Sequence, residues 1–440
     1  MEISVIGAGY VGLVVSAIFS DWGHKVTCID QDQNKIASLV KGNIPIYEPG
    51  LEEIVKKNTM YGRLKFIHSM EEGLRNADII LVAVGTPSKE DGSLDLSDLW
   101  NVIQQLKQYV EHKVTIAIKS TVPVGTSQKV EQMLNNQQND FYDVVFTPEF
   151  LRQGTAVKDF LNPDRIVVGC TTEKAERVMR KLYAPISSRV IFTDWQSAEM
   201  IKYASNTFLA MKISYINAIA NLCEYSGANI MDVTKGIGLD SRIGNTFLRP
   251  GIGFGGSCLP KDTKAMIELG KEGDINISLF EGIIKINEEQ SIKFVQKLDK
   301  KLGGIKGKNI TLLGVAFKPG TNDIRDSPAL KIINLINEQG GYVRVYDPIV
   351  NCKDLSKKYS FVPKGDVYSA VKGSHAVAII TEWEEFGDLD FHRILNLMEF
   401  PLIADGRNLL NPAVMRKKGF EYYCIGIGER QNIKENVQVI

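Results

Sequence analysis

Across the first 195 residues, short apolar runs rich in β-branched side chains alternate with stretches whose apolar positions recur every three or four residues. ISVIGAG, KVTCID, DIILVAV, VTIAIKS, DVVFTPEF and RIVVG each read as a strand buried on both faces, and helical patterns separate most of them. Such alternation predicts a doubly wound parallel α/β domain. From residue 196 to about 225 the pattern becomes that of one long helix, which no proline interrupts and Gly227 closes. More helical segments follow in AMIELGKEG and SLFEGIIKINEEQSIKFVQKL. Strand–helix alternation resumes at KNITLLGVAFKPG, with YVRVYDP, HAVAIIT and PLIADGRN as later strands, after a glycine- and lysine-rich junction at KLGGIKGK. The expected layout is a Rossmann-like domain over 1–195, a central helix and helical region over 196–303, and a second Rossmann-like domain over 304–440. The two α/β units share architecture but not local sequence, so no tandem repeat is expected.

Length and composition add limits. A chain of 440 residues predicts two to four domains at roughly 100–200 residues each. Lys and Arg number 52 and balance 52 Asp and Glu, so no global field favours nucleic acid or an anionic membrane. The apolar start MEISVIGAGYVGLVV lacks the basic region and cleavage site of a signal peptide. No apolar run approaches the ~20 residues of a membrane helix. Six cysteines, at 28, 170, 223, 258, 352 and 424, form no CxxC pair. That argues against a zinc ribbon or disulfide framework and suits a reducing cytoplasm. The expectation is a soluble cytoplasmic chain without a metal.

Chemistry first shows in GAGYVG, which fits GxGxxG at Gly7, Gly9 and Gly12. A strand precedes it, a helix follows, and Asp30 ends the next strand 18 residues after Gly12. In a dinucleotide fold the glycines let backbone reach the pyrophosphate, and the carboxylate accepts from the adenosine ribose hydroxyls. A carboxylate at Asp30 also repels a 2′-phosphate, favouring NAD over NADP. The plain alternative is a tight strand–helix turn with a surface aspartate. Two further turns, VAVGTPS at 82–88 and IKSTVPVGTS at 118–127, fall at carboxyl ends of strands, where this fold places its crevice. Thr86 and Thr121 are positioned there to meet the nicotinamide half, or are ordinary turn residues.

GFGGSCLPKD, residues 253–262, admits three readings. A phosphate cradle would need GxxxxGK[ST] after a strand, and both are missing. A small buried thiol is the default for the other five cysteines. For Cys258, the glycines permit close approach of a ligand, and Lys261 and Asp262 bring charge beside the thiol. A thiolate next to a nicotinamide can add to an aldehyde, giving a thiohemiacetal whose hydride leaves to NAD and yields a thioester. None of the five histidines is near Cys258 in sequence, so lysine and aspartate are the nearer groups for proton transfer. Lys202 and Asn206, spaced i, i+4, share one face of the long apolar helix. A buried lysine there would have a lowered pKa and serve as acid, base or oxyanion stabiliser; otherwise both are surface groups.

Seven segments converge on one family. GAGYVG (7–12), STVPVGT (120–126), TPEFLRQGTAVKDFLNPDRIVVG (147–169), KYASNTFLAMKISYINAIANLCE (202–224), RIGNTFLRPGIGFGGSCLPKD (242–262), GVAFKPGTNDIRDS (314–327) and ADGRN (404–408) occur in family order. Over essentially its whole length the chain resembles the UDP-glucose/GDP-mannose dehydrogenase family. The resemblance implies NAD-dependent four-electron oxidation of the sugar C6 alcohol to a carboxylate, using two NAD and one water. It makes Cys258 the nucleophile, and has Asp262 and Lys202 activate the hydrolytic water and stabilise oxyanion charge. Asn206 would help form the oxyanion pocket, with Thr121 and Glu149 completing the water and proton network. Cofactor contacts are implied for Gly7, Gly9, Tyr10, Val11, Gly12, Asp30, Lys35, Gly85, Thr86, Thr121, Glu149, Lys261 and Arg325. Substrate contacts are implied for Glu149, Phe150, Leu151, Arg152, Lys202, Asn206, Phe247, Leu248, Arg249, Gly255, Cys258, Phe317, Lys318 and Arg407, with Arg242 reaching from a partner subunit. The family's central helical region forms a dimer interface, so a homodimer or larger homo-oligomer is expected. Residues 152–153 are Arg-Gln where some relatives have Ala-Glu, leaving Gln153 without a role, and Arg249 stands where some have lysine.

The stretch 202–224 is most similar to the UDP-glucose branch; UDP-N-acetylmannosamine, UDP-N-acetylglucosamine and GDP-mannose are the alternative substrates. A two-electron dehydrogenase of a small hydroxy acid shares the first domain, but needs no second domain with a nucleotide-sized site. A non-catalytic NAD-responsive protein is opposed by the complete catalytic set.

Overall fold

The computed structural model describes residues 1–89, 91–135 and 141–428. Residues 429–440 of the expected second Rossmann-like domain lie outside the described residues. The chain forms two compact units, Met1–Ser205 and Asn206–Ile440.

In the first unit, eight strands make one sheet: β1 (Glu2–Ile6), β2 (Lys25–Ile29), β3 (Leu64–Ile67), β4 (Ile79–Val82), β5 (Val114–Ile118), β6 (Tyr142–Phe146), β7 (Arg165–Gly169) and β8 (Arg189–Thr193). Their order is β3-β2-β1-β4-β5-β6-β7-β8. All pairs are parallel except β6 with β7. β4 shows why the sequence reads as a continuous apolar run. Ile79 and Leu81 pack into one core, Ile80 and Val82 into the other, because successive side chains leave opposite faces and helices cover both. β3 and β8 were not expected. LKFI is too short to stand out, and β8 alternates half-buried with exposed positions at the sheet edge, so neither carries the doubly buried signature.

The second unit begins inside the long helix Trp195–Ser226, continues through the helices Leu259–Glu272 and Ser278–Leu302, and then builds a six-stranded sheet. Its strands are β9 (Asn309–Leu313), β10 (Tyr342–Tyr346), β11 (Val362–Pro363), β12 (Ala376–Ile379), β13 (Leu402–Asp405) and β14 (Glu421–Cys424). The order β11-β10-β9-β12-β13-β14 repeats that of the first six strands of the other sheet. Again the cores alternate, with Leu312 and Ala378 on one side and Leu313 and Ile379 on the other.

Both sheets open with the same turn. Gly7 (φ +102) follows β1 and donates to Ile29 O at 2.7 Å; Gly314 (φ +92) follows β9 and donates to Tyr346 O at 2.8 Å. Only glycine adopts such backbone without strain. The next amide in each, Ala8 or Val315, donates at 2.8 Å to the aspartate ending the neighbouring strand, Asp30 or Asp347. Beyond that the two diverge. The first turn runs straight into the helix Tyr10–Asp21, where a Cβ on Gly12 would lie 1.8 Å from Gly7 O. In the second, the following helix starts only at Pro328.

Among the described residues, no helix is long and apolar enough to cross a membrane.

Candidate active site

In the first unit, the glycine turn ends at Gly9, the N-cap of the helix Tyr10–Asp21, where no side chain caps the helix among the described residues. A Cβ at Gly9 would meet no atom within 4 Å. The helix thus starts without a side-chain cap and with partial positive charge, next to a glycine that leaves room, the arrangement a pyrophosphate requires. Asp30 is buried. Its Oδ2 accepts from Ala8 N–H at 2.8 Å and Lys35 Nζ at 2.9 Å, and its Oδ1 from Asp32 N–H at 2.9 Å. Burial works to raise its pKa, but Lys35 and the two amides hold it below the ordinary value. An ionised acceptor at the end of β2 beside an open helix N-terminus fits the adenosine half of a dinucleotide. Val11 packs against the first core; Gly85 is exposed and Thr86 buried. The Thr86 hydroxyl donates to Thr121 O at 2.8 Å, joining the two turns at the carboxyl ends of β4 and β5.

Tyr10 serves the fold as well as the turn. Its hydroxyl donates to Glu48, while Gly154 N–H reaches both the Tyr10 hydroxyl at 3.0 Å and Glu48 Oε2 at 2.7 Å. Burial and the neighbouring Glu48 push the Tyr10 phenol well above its ordinary range. This clamp fastens the loop after β6, which carries Glu149, Phe150, Leu151 and Arg152. Glu48 escaped the sequence reading because a lone acid before Pro-Gly gives no pattern. Within the loop, Lys202 Nζ donates to Glu149 O at 2.6 Å and Oε1 at 3.0 Å, and Leu151 N–H donates to Oε2 at 2.6 Å. Burial pushes the Glu149 carboxyl up, but Lys202, Leu151 N–H and nearby Lys119 more than offset it, leaving the pKa below its ordinary value. The Phe150 ring lies under the Arg165 guanidinium at 3.6 Å, with Lys202 Nζ 5.4 Å from its centroid. Arg152 is exposed and bonded to Asp159 at 3.0 and 2.6 Å.

In the second unit, Cys258 is the N-cap of the helix Leu259–Glu272, so its side chain starts where the helix's positive end lies. It is half-buried; Cys28, Cys223, Cys352 and Cys424 are buried, as expected of small apolar residues, and Cys170 is half-buried. Pro260 enters the first turn, where no amide is missed. Asp262 N–H closes that turn on Cys258 O at 2.8 Å. The buried Asp262 carboxylate accepts from Lys261 Nζ at 2.7 Å and from Asn206 Nδ2 at 2.6 Å. Nucleophile, carboxylate, ammonium and amide therefore converge on one helix start.

The glycines before the cysteine allow a close dock. A Cβ on Gly255 would lie 2.2 Å from Asp326 O, and one on Gly256 2.8 Å from the Phe317 ring. Gly256 N–H also donates to Arg325 O at 2.8 Å, while the Arg325 guanidinium chelates Asp323 at 2.9 and 2.6 Å. Arg407 is largely enclosed, donating to Ile380 O (2.7 Å), Gly253 O (3.0 Å) and Phe317 O (3.4 Å), with Glu382 at 3.3 Å. It thus binds the cysteine loop to the loop carrying Phe317 and Lys318. Phe247 sits at φ +62, a conformation costly for a bulky residue and concentrated at ligand clamps; Leu248 beside it is buried. Arg249 is exposed and donates to Asn408 O at 3.3 Å. Arg242 projects outward with its side chain 87% exposed, paired to Asp240.

Family models of the UDP-glucose/GDP-mannose dehydrogenase family match in sequence: the NAD binding domain over residues 1–187, the central domain over 196–289 and the UDP binding domain over 311–412. The UDP-glucose 6-dehydrogenase TuaD of Bacillus subtilis is 44% identical over 430 residues, covering 97% of this chain and 93% of that protein. The UDP-glucose 6-dehydrogenase of Rhizobium meliloti is 43% identical over 437 residues, covering 97% and 99%. Among solved structures, a UDP-glucose dehydrogenase from Pyrobaculum islandicum superposes with TM-score 0.87 at 34% identity, covering 92% of this chain and 94% of that one. A UDP-D-ManNAc dehydrogenase from Pyrococcus horikoshii also gives 0.87, at 29% identity, covering 97% and 99%. With an open glycine turn in one unit, a cysteine-capped helix in the other and all three family segments matched in order, the chain belongs to the UDP-glucose/GDP-mannose dehydrogenase family.

Proposed function

We propose that the protein is a cytoplasmic NAD-dependent UDP-glucose 6-dehydrogenase that oxidises the sugar C6 alcohol to the carboxylate of UDP-glucuronate. The observation that carries this reading is Cys258 capping a helix with the buried Asp262 one turn inside it, fixed by Lys261 and Asn206. The curated relatives at 43–44% identity, each carrying the name UDP-glucose 6-dehydrogenase, support the choice of sugar. In domain terms, residues 1–195 bind the cofactor, 196–303 join and dimerise, and 304–440 hold the nucleotide.

NAD, when bound, accepts the two electrons and hydrogen of each hydride step. The Cys258 sulfur bonds to C6 at the aldehyde level, and the carbonyl oxygen takes a proton to give a thiohemiacetal. Loss of hydride from C6 to NAD, with the thiohemiacetal hydroxyl proton passing to the neighbouring proton network, converts it to a thioester. Water then attacks that carbon, the C–S bond breaks, and the sulfur leaves with the electron pair as the carboxylate forms. Asp262 and Lys202 hold the water and balance oxyanion charge, Asn206 donates to the oxyanion, and Thr121 and Glu149 extend the proton network. Arg325 and Lys261 complete the cofactor contacts. Phe247, Leu248, Arg249, Gly255, Phe317, Lys318 and Arg407 contact the nucleotide sugar with Phe150, Leu151 and Arg152.

A homodimer completes the picture. On the long helix, Phe208, Tyr215 and Leu222 recur every seven residues and are 57%, 54% and 60% exposed, an apolar seam suited to a second helix. The outward Arg242 is offered to the second subunit's substrate.

With limiting UDP-glucose and excess NAD, two NADH per sugar are expected at completion. One per sugar would end the thioester route. A second reading, the same chemistry on UDP-N-acetylmannosamine, is favoured by the equal TM-score of the Pyrococcus horikoshii enzyme. Turnover of that sugar without turnover of UDP-glucose would select it.

A further inference from the structure

The long helix carries a second buried charge that the proposed chemistry leaves unused. Glu199 lies three residues before Lys202 and is fully buried. Its carboxylate takes three hydrogen bonds from one short stretch. Gly125 N–H donates to Oε2 at 2.6 Å, and the Ser127 N–H and hydroxyl donate to Oε1 at 2.8 and 2.6 Å. That stretch opens the helix Thr126–Leu134, whose N-cap is Gly125 and has no side chain with which to cap it. The cap is supplied instead by a carboxylate on another element, with the sign a helix N-terminus favours. Burial raises the Glu199 pKa even though these hydrogen bonds act in the opposite direction.

The same loop begins at Ser120, whose hydroxyl donates to Val84 O at 2.7 Å, and at Thr121, whose carbonyl accepts from Thr86 at 2.8 Å. Residues 120–127 are thus fastened at one end by the turn after β4 and at the other by Glu199. One turn further along the long helix, Lys202 grips Glu149. A single helical segment therefore sets two loops of the first unit.

We propose that Glu199 is a positioning residue, which fixes the Thr121 loop against the helix bearing Lys202 and so holds the cofactor-facing surface of that loop in register. The importance of the loop rests on the function proposed above; the fastening does not. The test compares the full-length protein with Glu199→Gln, Glu199→Asp and Ser127→Ala. Three readouts are amide hydrogen exchange over 125–127, NADH affinity by fluorescence, and kcat with KM for each substrate. Glu199→Gln places an amide group against the Gly125 N–H, so exchange there should accelerate about 10-fold and NADH affinity and kcat should each fall about 10-fold, at unchanged KM for UDP-glucose. Ser127→Ala keeps the charge and both backbone bonds, so its effects should point the same way and be smaller. Wild-type exchange in Glu199→Gln would overturn the proposal. So would faster exchange with NADH affinity and kcat unaltered. Should Glu199→Gln not fold, wild-type behaviour in both Glu199→Asp and Ser127→Ala would overturn it equally. If the wild-type protein proves inactive on UDP-glucose, the functional reading fails, while exchange and NADH binding still decide this one.

Discussion

Lys202 grips Glu149 at two points, the main-chain oxygen at 2.6 Å and the carboxylate at 3.0 Å, with the two side chains only 3% and 9% exposed. Removing the lysine strands a buried carboxylate, and breaking one side of such a pair costs about 3–5 kcal/mol. Lys202→Met should therefore unfold at lower denaturant and lose turnover. The pH dependence gives a sharper check. With its folded pKa depressed, Glu149 contributes stability that is complete above the ordinary value of 4.5 and is lost as pH falls below it. In Lys202→Met burial acts with less opposition, the folded pKa rises above the unfolded one, and the contribution changes sign. Parallel acid limbs in the two unfolding profiles would contradict this.

Asp262 is the carboxylate nearest the proposed nucleophile in sequence and shares its first helical turn. Asp262→Asn keeps the shape but removes the proton acceptor and the charge facing Lys261. We expect kcat to fall about 10²–10⁴-fold, the range for a lost general acid–base group. A variant retaining more than a tenth of wild-type kcat would reduce Asp262 to a structural support.

Gly255 has no room for a side chain, its Cβ position lying 2.2 Å from the Asp326 carbonyl oxygen. Gly255→Ala must push the cysteine loop off the 325–326 turn, costing about 1–3 kcal/mol. Denaturant midpoints should fall accordingly, and turnover should fall with them because Cys258 moves. Native activity in a folded Gly255→Ala protein would show that the dock does not place the cysteine.

The seam on the long helix predicts association. Leu222→Glu puts a charge into the proposed apolar seam between subunits, where an unpaired carboxylate would be costly. Sedimentation should show the wild-type protein as a dimer or larger and the variant shifted towards monomer. Identical profiles would place the interface elsewhere.

Much of the fold was legible because parallel strands covered on both faces must be apolar at every position, as β4 is. Edge strands obey no such rule, which is why β8 and the two-residue β11 went unseen. The glycine turn was legible through steric necessity at Gly7 and Gly12, and Cys258 through the glycines around it. Glu48 and Glu199 were not, although Glu199 left a trace. It precedes Lys202 by three residues, with Asn206 four further on, so three polar groups share one stripe of an apolar helix. The partners of Glu48 and Glu199 lie 38 to 109 residues away in sequence, at distances no local pattern spans.

The turn after β9 repeats the first turn's opening but closes it off. Asp347 is saturated by the amides of Val315, Ala316, Ile349 and Val350 and by the Trp383 indole, and Ala316 and Pro319 stand where Gly9 and Gly12 do in the first unit. Among the described residues the chain therefore offers a single dinucleotide socket, while the proposed reaction consumes two oxidants. The first spent coenzyme must vacate that socket and a fresh one enter while the half-oxidised sugar stays aboard. Under the proposed function, turnover on this protein is then a relay of two coenzymes through one socket.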